Sequence, residues 1–196
     1  LLKVMEEDEG VKGHFLRIFD VADEFVTLTE ELGGKILKPD GSGKDIQNPL
    51  EILHATESEQ LNFSRHISRL TTFYKALNPQ AESTEVTDFT NLLTEFYESI
   101  GLTPIVDGVE RQISGLPPTA YPIFSEFLDY LNKCIAEMLK KEYNEAEMVI
   151  AKTRLETLYN ITGQISYIVK TYGNMFNGHS SINNIMDEQI VVFNIS

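Results

Sequence analysis

Three carboxylates, Asp20, Asp23 and Glu24, fall within five residues of one another, directly after the apolar-rich run His14–Asp20. Carboxylates grouped this closely can hold a hard cation such as magnesium, position a water, or touch a nucleotide. The same residues also suit a structural role. Asp23 can cap a helix that follows, and Glu24 suits the positive end of that helix. Both readings stay open at this point.

Other candidates are poorer. Asp40-Gly-Ser-Gly-Lys-Asp45 suggests a phosphate loop, but that loop needs G-x-x-x-x-G-K-[ST]. Here Lys38 stands at the first Gly position and Asp45 replaces the hydroxyl residue. An Asp there repels phosphate, so the segment reads as a surface turn. His14, His54, His66 and His179 lack H-E-x-x-H or any other ligand spacing, and no G-x-S-x-G elbow marks a nucleophile. Arg65 and Arg69 lie four apart on one helix and could meet a phosphate or an acidic partner; a solvated or salt-bridged helix face is the simpler reading. Cys134 has no other Cys to pair with or to share a metal with. It reads as a small core residue.

The elements that must position Asp20 and Glu24 form a strand–helix–strand unit. His14–Asp20 is the first strand, and Asp23–Leu32 is a short helix with Phe25, Leu28 and Leu32 on one side. Gly33-Gly34 stops the helix and Lys35–Lys38 is the second strand. A helix crossing between strands is the pattern of a parallel sheet, whose ligands sit at the strands' carboxyl ends. Asp20 is at such an end. Gln189–Ile195 is a third strand-like run. Ile46–Ile52 is expected to be extended, and Leu1–Glu9 to be the tail of a helix broken by Gly10 and Gly13.

Between these strands the apolar spacing is helical. A first long helix is expected from Thr56, with Thr56 and Glu59 as a capping box, and ends at Asn78-Pro79. A second spans Ser83–Ile100 and closes at Gly101. A third starts near Pro122, and a fourth runs from Asn144 to Tyr172. Gly163 within the fourth suggests a close helix contact, because Gly there costs about 1 kcal/mol relative to Ala. Each helix has one apolar face, so the four must pack on one another. Residues Leu102–Tyr121 form a long connection of the sort that is often functional or mobile.

The chain of 196 residues carries 30 acidic residues against 16 Lys and Arg, a formal net charge of −14. A broad nucleic-acid surface needs clustered cations and is not expected. The longest apolar runs are only a few residues, too short to span a membrane as helices. The start has no signal-peptide pattern and no initiator Met. The chain is expected to be a piece of a longer protein, in a reducing cytoplasm.

Several segments, in order, resemble the large ATPase of conjugative type IV secretion systems, the TraE/TraC-like transfer ATPases of the HerA–FtsK superfamily. Asp20-Val-Ala-Asp-Glu24-Phe25 is similar to that family's D-x-x-x-E-[FY]. Leu32-Gly-Gly-Lys-Ile-Leu37, Asp40-Gly-Ser42 and Asn48-Pro-Leu-Glu-Ile52 resemble the stretch that follows it. Leu116-Pro-Pro-Thr-Ala-Tyr-Pro-Ile-Phe-Ser-Glu-Phe-Leu128 is similar to its P-T-x-S-D-L helix entry. Met175-Phe-Asn-Gly-His-Ser-Ser181 and Ile190-Val-Val-Phe-Asn-Ile-Ser196 resemble its F-x-G-x-T and F-D-I-S segments. Asn194 departs from the family's usual Asp, and Ser180 from its common Thr.

The resemblance implies an α/β, predominantly helical fold: a partial RecA-like parallel sheet carrying a large helical-bundle insertion. Residues 1–50 and 186–196 would be the partial core, 51–175 the helical subdomain and 176–185 a connecting loop. It implies the part of the ATPase between the Walker A and Walker B motifs, both absent here. Asp20 and Glu24 would then lie near the nucleotide, with no catalytic residue in the chain itself. ATP and magnesium would bind the parent protein and not the isolated chain. The parent would act in the cytoplasm at the inner membrane face, peripheral to the membrane. It would work with other secretion subunits and as a homo-oligomer, with a hexamer the expectation from the superfamily. The rival expectations are a helical interaction module of a transfer system with no nucleotide role, and a related HerA/FtsK-like DNA translocase.

Overall fold

The computed structural model describes residues 15–38, 40–182, 185 and 187–195. The expected helix over Leu1–Glu9, the breaks at Gly10 and Gly13 and the strand start at His14 lie outside the described residues. Three strands form a parallel sheet: β1 (Leu16–Asp20), β2 (Lys35–Leu37) and β5 (Ile190–Asn194). The order is β1-β5-β2, so the last strand in sequence is the central one. Leu16 pairs with Ile190 and Asp20 with Asn194, while Leu37 pairs with Phe193. The three strand ends therefore lie side by side at one edge. Ile190, Val191 and Val192 are all buried, as a central parallel strand requires.

The crossover helix α1 (Val26–Glu31) is shorter than the Asp23–Leu32 expected from the sequence. Asp23 does not cap it. The residue before the helix is Phe25, without a side-chain cap, and Asp23 sits at φ 58° in the turn ahead. Thr29 of α1 is fully buried, and its Oγ1 has no hydrogen-bond partner among the described residues. A Cβ on Gly34 would come within 2.7 Å of Thr29 Cγ2 and 3.0 Å of Ile190 Cβ, so Gly is required there to let α1 lie against β5. The opposite face carries Phe19 stacked on Phe193 at 5.0 Å, and Phe19 is 70% exposed.

Four long helices follow: α2 (Glu59–Leu77), α3 (Ser83–Ser99), α4 (Phe124–Lys140) and α5 (Glu145–Thr171), then the one-turn α6 (Gly173–Phe176). Their apolar stripes meet in one cluster that includes Leu70, Phe89, Leu93, Phe127, Leu131 and Ile165. Tyr74 stacks on Phe89 at 4.2 Å. Residues 46–52 are not a strand. Asn48 turns the chain by accepting the Leu50 N–H at 3.0 Å and donating to the Pro122 carbonyl at 2.8 Å, and this delivers Leu50 and Ile52 to the helical core.

Helix starts show where local reasoning needed the rest of the fold. Asn144 and Glu147 form a reciprocal capping box on α5. Thr56 does not cap α2; Ser58 does, accepting the Leu61 N–H at 3.3 Å. Glu59 turns away to the connection after α3. Pro122 precedes α4 by two residues, and Glu126 reaches back to the Ile123 N–H at 2.9 Å.

The connection Leu102–Tyr121 is built, not loose. It holds a hairpin of β3 (Ile105–Val106) and β4 (Val109–Glu110) about Asp107-Gly108, both at positive φ, as a two-residue hairpin turn requires. Glu110 Oε1 accepts the N–H groups of Glu59 and Gln60, two of the unpaired donors at the start of α2. Ile113 and Ser114 are buried.

Candidate functional site

The carboxyl edge of the sheet gathers the ends of β1, β5 and β2. Asp20 closes β1 and is 3% exposed. Its Oδ1 accepts the N–H groups of Ala22 at 3.1 Å and Glu24 at 3.2 Å, and its Oδ2 accepts that of Phe25 at 3.0 Å. The Phe25 N–H is the main cause that holds the Asp20 carboxyl below its ordinary pKa; burial and nearby Asp23 oppose it, and the other two N–H groups assist. The Asp20 carbonyl accepts the Ile195 N–H at 2.8 Å, which ties the loop to the end of β5. Asp20 thus fixes the loop that carries Asp23 and Glu24.

Asn194, at the end of β5, donates from Nδ2 to Asp23 Oδ1. Lys38, just past β2, places Nζ 3.7 Å from the same oxygen. Each of the three strand ends so contributes to one polar cluster. Asn194 has a chemical reason to differ from Asp: an aspartate there would face the Asp23 carboxylate without a proton to donate. Asp20 and Glu24, singled out together, sit on the same loop but point to different work. Asp20 is buried and bonded, whereas Glu24 is exposed.

Three of the roughly four acceptor positions of Asp20 are taken by backbone N–H groups, so its carboxylate is committed first to holding the loop. Among the described residues no group of three or more His, Cys, Asp or Glu side chains could hold a metal ion. The Gly-Ser-Gly-Lys segment is a turn: Asp40 accepts the Ser42 N–H at 2.8 Å and Asp45 accepts the Lys38 N–H at 2.9 Å. The Ser42 N–H serves the turn's own carboxylate and the Lys44 N–H its Ser42 hydroxyl.

The remaining sequence candidates go elsewhere. Arg65 and His179 are exposed. Arg69 is exposed, as a solvated helix face requires, and its guanidinium also donates to the Glu51 carbonyl at 2.7 Å and to His66 Nδ1 at 3.0 Å. His66 is buried, with Nε2 2.7 Å from the Tyr97 hydroxyl, which itself donates to the Leu50 carbonyl at 2.7 Å. Since the hydroxyl proton goes to Leu50, the imidazole carries its proton on Nε2 and accepts at Nδ1. His54 Nδ1 lies 3.0 Å from Ser114 Oγ, and Ser114 Oγ donates to Glu59 Oε1 at 2.9 Å. This Ser–His–Glu grouping is a latch and not a nucleophile, because Ser114 is wholly buried. Cys134 is half-buried on α4, where burial pushes its thiol pKa up. Sequence reasoning missed Lys38 and the Asn194–Asp23 bond. The available signal was a polar residue closing the otherwise apolar run Ile190–Phe193.

No family model matches the chain. An uncharacterized protein of Bacillus anthracis is 34% identical over 210 residues, an alignment covering 100% of this chain. The chain spans 31% of the length of that relative. Among solved structures, VirB4 of Thermoanaerobacter pseudethanolicus matches with a TM-score of 0.69 and 20% identity, over 98% of this chain and 45% of that one. That likeness is one of fold: a small parallel sheet with a large helical block, the mixed α/β and mostly helical class expected from the sequence. Among the described residues no helix is long and apolar enough to cross a membrane.

Proposed function

We propose that this chain is part of a type IV secretion ATPase, the stretch between its two nucleotide motifs. Residues 1–50 and 186–196 would form part of the α/β core and 51–175 a helical subdomain. The observation that carries the reading is the fold likeness to VirB4 over 98% of this chain, taken together with the ordered sequence resemblance. The carboxyl edge supports it further, since ligands of open parallel sheets bind at that edge. Asp20 would position the loop, and Glu24 would be the side chain near the nucleotide. Phe19, stacked on Phe193 and 70% exposed, offers apolar surface on which further parts of an α/β domain would pack.

ATP and magnesium would then be bound by the parent protein, through motifs this chain does not contain. The parent would work at the cytoplasmic face of the membrane with other secretion subunits, as a homo-oligomer. The test is Glu24→Gln in the full-length protein. ATP turnover is expected to fall by tenfold or more, of the order seen when a charged active-site group is lost, with the thermal unfolding midpoint unchanged. Unchanged turnover overturns the nucleotide role of Glu24. Magnesium-dependent turnover by the isolated chain would overturn the division of labour proposed here.

A further inference from the structure

The helical block carries a second feature that the nucleotide reading does not use. A groove of about 560 Å³ opens between α3, the end of α4 and the start of α5. Leu92, Met138, Leu158 and Ile161 lie along it. Its lip carries an exposed apolar residue, Ile150, which is 64% exposed. Asp88, Glu95, Glu137 and Glu147 rim it, against Lys141 and Arg154. Asp88 and Glu95 are seven residues apart on α3, two helical turns or about 10.5 Å along one wall.

We propose that this groove docks a basic amphipathic helix of a partner protein. An apolar floor bounded by a helical wall accepts the apolar face of a helix. The acids on α3, two turns apart, match Lys or Arg at positions i and i+7 of that helix. The charge balance selects against the other occupants. An anionic lipid surface or a nucleic acid would meet the acidic rim with like charge. A second copy would bring the same acids from a chain of net charge −14.

The probe is a fluorescein-labelled Leu/Lys peptide of about 18 residues, roughly 27 Å as a helix. Its Leu residues form one face and its Lys residues recur seven apart. Controls are a scrambled peptide of equal composition and a Leu/Glu peptide of the same pattern. Fluorescence anisotropy with the full chain at about 0.15 M salt, where long-range attraction is screened, is expected to give at least tenfold tighter binding of the patterned Lys peptide than of either control. Ile150→Glu, and separately the pair Asp88→Lys and Glu95→Lys, are each expected to weaken it by about tenfold or more. Val109→Glu on the β3–β4 hairpin, outside the groove's lining and at a site 64% exposed, should leave it unchanged. Circular dichroism checks that each variant is folded. Equal binding of the scrambled peptide, indifference to Ile150→Glu, or self-association of the chain that Ile150→Glu abolishes would each overturn the proposal. None of these results bears on Glu24 or on ATP turnover, so this docking site and the nucleotide reading stand or fall separately.

Discussion

The Asp20 carboxylate accepts the Phe25 N–H at 3.0 Å while its Oδ1 holds Ala22 and Glu24, so one strand-end side chain fixes the five residues after it. This organises the carboxyl edge from within. The loop does not depend on a cap at Asp23, which is left to meet Asn194 and Lys38. An acid at the end of a parallel strand here serves first as a scaffold.

Removing that scaffold should loosen the loop without unfolding the sheet. With Asp20→Ala, the amides of Ala22, Glu24 and Phe25 lose their acceptor. Native-state hydrogen exchange at these three positions is expected to speed up by tenfold or more. Exchange at Val191 and Val192 in the central strand should change little. Protection retained at Phe25 would mean that the backbone holds the loop unaided.

A second prediction concerns the Leu102–Tyr121 connection. Glu59 Oε2 accepts the N–H groups of Ile113 at 3.2 Å and Ser114 at 3.0 Å, and Oε1 accepts the Ser114 hydroxyl at 2.9 Å. Glu59→Ala leaves these donors buried without an acceptor. The expected loss is about 2–4 kcal/mol, from unsatisfied buried donors at roughly 1–3 kcal/mol each with partial relaxation. Urea unfolding measures it. Limited proteolysis should leave the native connection intact and cut the variant between 102 and 121.

Local chemistry made much of the fold legible. Helix ends at Leu77 and Ser99, and the helix start at Asn144, depend on residues within a few positions of each other, and the apolar spacing and breakers placed them within a residue or two. The Thr56 box failed because Asn62 Oδ1 takes the Thr56 N–H and hydroxyl, while Glu59 is drawn to a segment more than fifty residues away. That competition has no local signature. The connection looked loose for the same reason: its restraints, Glu59 and Glu110, join positions far apart in the chain. The Asp20–Glu24 stretch was visible as chemistry, but which carboxylate would be buried was not. Burial of Asp20 follows from β5 lying between β1 and β2, and strand order is written in no single segment. The continuous apolar run Ile190–Phe193 was the one hint, since a strand covered on both faces lacks alternation.

Gly163 was expected to mark a close helix contact, and it does not. A Cβ there meets nothing within 4 Å, and the position is exposed within α5. Its backbone is helical, so Ala fits without strain. Gly163→Ala should stabilise the protein by about 1 kcal/mol, through the lower conformational freedom of Ala in the unfolded chain. Chemical denaturation should show a higher midpoint with the same slope. A loss of stability would reveal a partner that needs the bare backbone.

The His66 network makes stability depend on pH in a defined direction. Burial first, and the Arg69 charge second, hold the imidazole pKa well below its ordinary 6.5. Its Nδ1 accepts from Arg69, so a proton there would set two cations against each other in the core. The unfolded chain binds that proton near pH 6.5 and the folded chain resists it. Stability from this group is therefore complete above about pH 6.5 and is lost as pH falls toward the folded value, by up to about 1.4 kcal/mol per pH unit. His66→Gln keeps a donor and an acceptor but cannot titrate in this range. Unfolding free energies from pH 7.5 down to about 5 should converge between native protein and variant as pH falls, with the native protein the more stable at the upper end. His14, His54 and His179 are present in both proteins and cancel in the difference. Parallel curves would mean that His66 accepts its proton in the folded state as readily as in the unfolded one, and that the Arg69 contact does not hold it neutral.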